Sequence, residues 1–137
     1  MQDNLVIMGI NSPKEHQAVI TRLIHGLADL YLRDNTKLFP YPDTMIDESQ
    51  TSPAPDILPY DHDREKTMVI IEVTHSAGAK RDAEKVRRLM MDYEVAEGFV
   101  YDYKKRIWQR FEEHHEQPSP GSLSTILGID LAAFLAR

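Results

Sequence analysis

Cysteine is absent from this 137-residue sequence. That excludes a disulfide framework and a thiolate-bound zinc, and it suits a reducing, cytoplasmic setting. No stretch approaches about 18 consecutive apolar residues, so no membrane-spanning helix is expected, and no signal-peptide pattern precedes Leu5. Surplus positive charge is missing as well: 16 basic against 22 acidic residues leave a net charge of −6. A protein that coats nucleic acid by bulk attraction is thereby disfavoured. A metal-dependent enzyme is not, because its cations offset clustered carboxylates. Internal repeats and low-complexity tracts are also lacking, so one domain spanning residues 1–137, with a single core, is expected.

The chain's most informative stretch is Pro55-Asp56-Ile57-Leu58, a short gap, and then Met68-Val69-Ile70-Ile71-Glu72-Val73-Thr74. Val69, Ile70, Ile71 and Val73 form a near-continuous β-branched run, as expected of a strand covered on both faces. Glu72 interrupts it. A carboxylate inside such a strand is costly unless paired, hydrogen-bonded or bound to a cation, so this break in the folding pattern is where function is sought.

Around that stretch the chain reads as α-β-β-β-α-β-β. Asn4–Gly9 reads as a short strand or an ordered arm. Ser12-Pro13-Lys14-Glu15 has the capping-box pattern, with Ser at the N-cap and Pro at the first helical position. Val19, Leu23, Leu27 and Leu30 follow as an apolar stripe at helical spacing, and Glu15 stands one turn before Val19 on that stripe. Its alternatives are a capping role and a position facing the sheet. Leu38–Ile46, with prolines at 40 and 42, reads as an edge strand. Asp56–Tyr60 and Thr67–Thr74 read as a hairpin across a polar tip, with a helix over about 80–93. A second hairpin joins 98–103 to 107–111. Leu123–Leu127 is expected as an edge strand and Leu131–Leu135 as a final helical turn. The strands flanking the second helix should run parallel with a right-handed crossover. Irregular chain is expected at 47–55 and 117–122.

Asp56 and Glu72, carried on neighbouring strands, can share a hard divalent cation. Mg2+ or Mn2+ takes oxygen ligands, typically one or two carboxylates, waters and a substrate phosphate. The Val73 carbonyl is a further candidate ligand. Such an ion offsets charge on a phosphate and acidifies a bound water. Thr74 cannot supply the cation expected beside the nucleophile; Lys85, about one turn past Asp82 on the second helix, can. The rival readings are a turn-shaping Asp56, a structural ion pair of Glu72 with Lys80, Arg81 or Lys85, and a solvated Lys85. Lys80, Arg81, Lys85, Arg87 and Arg88 make this helix locally basic, either a solvated face or a surface for nucleic-acid phosphate.

Pro55-Asp56 followed by Glu72-Val73-Thr74 resembles the Pro-Asp…(Asp/Glu)-x-Lys signature of the restriction-endonuclease-like nucleases. The wider pattern is similar to the Uma-like group of candidate restriction endonucleases. It comprises Glu15-His16, Ile71-Glu72-Val73-Thr74-His75-Ser76, Asp82-Ala83-Glu84-Lys85, Val95 to Asp102, and Gly128-Ile129-Asp130-Leu131. Gly98 stands where that group usually has an aromatic residue. The resemblance spans about residues 13 to 135. It implies a mixed central sheet flanked by an N-terminal helix and a helix after the third strand. It also implies Mg2+- or Mn2+-dependent cleavage of nucleic acid, DNA first, by a symmetric homodimer. By the same resemblance Asp56 and Glu72 are metal ligands, Lys85 is the catalytic cation and Glu15 an accessory acid. A nuclease fold that has kept binding and lost catalysis is the alternative.

Overall fold

The β-branched run becomes the spine of a layered α/β domain. The computed structural model describes residues 13–47 and 52–136, so the expected strand at Asn4–Gly9 and the Ser12 cap lie outside the described residues. Helix α1 spans Lys14–Leu32 and helix α2 spans Ala79–Tyr93. The strands are β1 (Leu38–Pro42), β2 (Ile57–Asp61), β3 (Lys66–Thr67), β4 (Val69–Thr74), β5 (Glu97–Asp102), β6 (Ile107–Glu112), β7 (Ser119–Pro120), β8 (Leu123–Ser124) and β9 (Ile129–Asp130). The main sheet runs β1-β2-β4-β5-β6-β7, with β3 paired to β2. All its described pairings are antiparallel except β4–β5, which is parallel and joined through α2.

Strand alternation sends side chains to two separate cores. Ile57, Val69, Ile71, Val73 and Phe99 pack with Leu23 and Leu27 of α1 and with Leu131 near the C-terminus. Ile70 and Val100 face the other way, onto Val86, Leu89 and Met90 of α2. With both faces covered, every residue of β4 is buried, Glu72 included. Gly98 belongs to the α2 side. A Cβ there would lie 2.7 Å from both Val86 Cγ1 and Met90 Sδ, so an aromatic residue cannot stand at this position.

The two hairpins turn by the same local chemistry. Asp61 Oδ1 accepts from the N–H groups of Asp63 and Arg64, and Asp102 Oδ1 accepts from those of Lys104 and Lys105. Each carboxylate substitutes for the backbone at the turn, and Glu65 and Arg106 then take positive φ angles of 53° and 58°.

Three expectations need correction. Helix α1 starts at Lys14, so that Pro13, extended at ψ 148°, stands at the N-cap rather than at the first helical position, and its side chain has no acceptor to offer the first turn. The expected single strand 67–74 is broken at Met68. Opposite it, Pro59 has no N–H to give to the ladder, and only its carbonyl is used, accepting from Met68 N. Leu123–Leu127 does not extend the main sheet. Its first two residues pair with β9 as a separate ribbon, while β7 occupies the sheet edge. Ser124 is turned inward instead: its hydroxyl donates to Glu97 Oε1 at 2.5 Å and accepts from Leu127 N at 3.0 Å.

Candidate active site

The candidate site lies where β2 begins and β4 ends. Ile57 pairs with Ile71, so Asp56, just before β2, stands across from Glu72. The chain has left the ladder there, and Asp56 replaces it with side-chain bonds. Its backbone N–H donates to Glu72 Oε1 at 2.7 Å, and its own Oδ2 accepts from Val73 N at 2.8 Å. The two acids thus lock onto each other's strand, which satisfies backbone groups that would otherwise be orphaned.

Helix α2 brings the cation. Lys85 Nζ donates to Glu72 Oε1 at 3.2 Å and to the carbonyl of Ala54 at 2.8 Å. Its side chain is 26% exposed and that of Glu72 only 4%, so the pair forms at the floor of the site with the lysine reaching in from its rim. The structure therefore gathers Asp56, Glu72 and Lys85 at one place. Thr74, where the wider nuclease signature has lysine, is buried and its hydroxyl donates to the His75 carbonyl.

Burial pushes the Glu72 carboxyl up to about 7, and the neighbouring Asp56 charge adds to the rise. The Lys85 ammonium opposes it without cancelling it. Two carboxyls packed beside one lysine leave an excess of negative charge, a setting that favours either a proton or a further cation. The oxygen donors at hand, Asp56, Glu72 and the Val73 carbonyl, are of the kind a hard divalent ion takes. Among the described residues, however, no three His, Cys, Asp or Glu side chains are already gathered into a metal centre. Glu72 Oε1 is turned onto Lys85, and the Val73 carbonyl accepts from His16 Nε2 at 2.8 Å.

Glu15 does not join this group. It is exposed on the first turn of α1, where its Oε1 accepts from Lys104 Nζ at 2.9 Å. The residue that α1 sends into the site is His16. Its Nε2 lies 3.6 Å from Asp56 Oδ2, and its ring meets Tyr103 edge-on at 6.1 Å. The Asp56 carboxylate beside it raises the His16 pKa above its ordinary value, against the opposing effect of burial. The reason is helical phase. His16, Ile20, Leu23 and Leu27 follow i, i+4, i+7, i+11 spacing on the inward face, and Glu15 is rotated about 100° away. The Glu-His pair was visible in the sequence; the phase of α1 against the sheet selects the histidine.

No protein-family model matches the chain. None of the curated proteins matches it either. Among solved structures it is similar to a candidate nuclease belonging to DUF820 from Anabaena variabilis. That match has a TM-score of 0.63 and 8% identity, over 91% of this chain and 82% of the other. It is also similar to the type IIG restriction endonuclease BpuSI, with a TM-score of 0.52 and 14% identity. The second match covers 88% of this chain but 15% of that much longer one. The fold is that of the restriction-endonuclease-like nucleases.

Proposed function

We propose that this chain is a divalent-cation-dependent nuclease that hydrolyses phosphodiester bonds of nucleic acid, DNA first, and that it is a relative of the Uma-like group. The observation that carries the reading is the convergence of Asp56, Glu72 and Lys85 at 3.2 Å or less along one hydrogen-bonded chain. It occurs within a nuclease fold shared with both structural neighbours. Asp56 and Glu72 would hold Mg2+ or Mn2+, with the Val73 carbonyl as a further oxygen donor. When bound, the ion supplies charge neutralisation at the phosphate and a more acidic water. Lys85 Nζ, already in the site, orients the attacking water or offsets the charge that develops on the phosphate oxygens. Lys80, Arg81 and Arg88 stand exposed on the same helix and provide a face for the flanking phosphates. A symmetric homodimer completes the proposal, since cutting both strands of a duplex calls for two such centres.

Nicking of supercoiled plasmid in Mg2+ or Mn2+ tests it. Asp56→Ala and Glu72→Ala should abolish cleavage, and Lys85→Ala should slow it by roughly 100-fold or more. Wild-type protein that binds the cation calorimetrically yet leaves plasmid intact would instead mark a binding module on a nuclease fold. The absence of lysine at Thr74 favours that second reading.

A further inference from the structure

We infer that the tip of the β5–β6 hairpin is a second phosphate-binding element, in which Lys105 and Arg106 grip the substrate backbone a few nucleotides from the bond that is cut. The inference rests on the proposed nuclease function and adds to the α2 face a contact on the α1 side of the sheet. Lys104-Lys105-Arg106 is the only run of three consecutive basic residues in a chain whose net charge is −6. Three like charges in one turn repel one another, so the turn itself gains nothing from them. Lys104 has a counter-charge in Glu15. Lys105 and Arg106 are exposed and form no ion pair among the described residues.

The register brings this tip to the candidate site. Strands β4 and β5 are parallel, with Glu72 paired to Val100 and Thr74 to Asp102, so both end at the edge where the carboxylates lie. At about 3.3 Å per residue the tip stands on the order of 10 Å beyond Glu72. That is about three phosphates along one strand of a duplex. Three further bonds hold the tip in place. Asp102 Oδ1 accepts from Lys104 N and Lys105 N, and its Oδ2 accepts from the Ser76 hydroxyl at 3.1 Å, in the loop that follows β4. Lys104 Nζ reaches Glu15 at 2.9 Å, and the next residue, His16, lies 3.6 Å from Asp56 Oδ2. The turn is therefore braced against chain on either side of the site, with its two unpaired cations left facing solvent. A cation pair on a fixed turn binds phosphate with little ordering cost, and the Arg106 guanidinium can meet two phosphate oxygens at once.

The test uses the full chain, a fluorescent duplex in Ca2+ and a series of salt concentrations, read by anisotropy. The double variant Lys105→Gln/Arg106→Gln should lose about tenfold or more in affinity at ~0.15 M salt, and its log–log salt slope should become shallower by about two. Its melting temperature should match the wild type, since neither side chain holds the fold together. Lys37→Gln removes one exposed charge beside the opposite end of β2, where Leu38 pairs with Asp61, and should leave affinity and slope unchanged. A Lys37→Gln loss as large as that of Lys105→Gln or Arg106→Gln alone would reduce the effect to the general field and overturn the inference. So would an unchanged slope in the double variant while Asp56→Ala still abolishes nicking, an outcome that spares the nuclease function. Wild-type protein that neither retains duplex nor nicks plasmid overturns both.

Discussion

Glu72 is held in a strand whose both faces are covered, and its ionisation opposes folding. Its folded pKa of about 7 stands above the ordinary 4.5. A raised acid contributes stability that is fully present below pH 4.5 and lost as pH rises toward and through about 7. The metal-free protein should therefore melt at a lower temperature at pH 8 than at pH 5. Glu72→Gln should flatten most of that slope; differential scanning calorimetry of both proteins across the range is the measurement, and parallel slopes would refute the assignment. His16 tilts the curve the same way, since a histidine with a raised pKa stabilises at low pH and stops doing so as it deprotonates. Lys85→Met makes a complementary test. At pH 8 it strands the Glu72 charge and should cost about 1–3 kcal/mol, whereas near pH 5, with Glu72 protonated, the cost should shrink toward zero.

Between elements, two contacts set how the layers lie on the sheet. Gly98 lets α2 settle onto β5, and Gly98→Ala places a methyl group 2.7 Å from Val86 Cγ1. Met90 can swing aside, but the Val86 branch cannot, so a loss of about 1–3 kcal/mol is expected in chemical denaturation. Because α2 also carries Lys85, the same substitution should lower nicking activity without touching the site. The second contact is the buried Glu97–Arg110 pair. Arg110 Nη2 donates to Glu97 Oε2 at 2.8 Å, and the same oxygen accepts from Thr125 N at 2.9 Å. Arg110→Ala leaves a buried carboxylate without its cation and should cost about 3–5 kcal/mol. Ser124→Ala should act more locally, speeding amide hydrogen exchange over 123–131 while leaving β4 and β5 protected.

For the whole molecule, a net charge of −6 means that the general field repels a polyanion. Under the proposed nuclease function, attachment to DNA would come from the α2 face, from the β5–β6 tip and from an ion at the carboxylate pair. We expect a fluorescent duplex to be retained in Ca2+ at ~0.15 M salt and released by a chelator, as followed by anisotropy. Duplex binding that is equally tight with the chelator present would place the DNA surface elsewhere. No described helix is long and apolar enough to cross a membrane.

Much of this was legible along the chain. This β-branched run is buried on both faces, and the carboxylate breaking it marks the candidate site; both readings rest on side-chain hydration alone. Helix α2, both hairpins and the parallel crossover likewise follow from local periodicity and handedness. Which residue of the Glu15-His16 pair turns inward, where the ribbon of β8 and β9 docks, and that Glu97 rather than an edge ladder holds residues 124 and 125 were decided only in three dimensions. Those outcomes depend on helix phase against a distant partner and on buried polar groups finding one another across 27 or more residues of chain. Sequence neighbours carry no record of such pairings; the packed structure creates them.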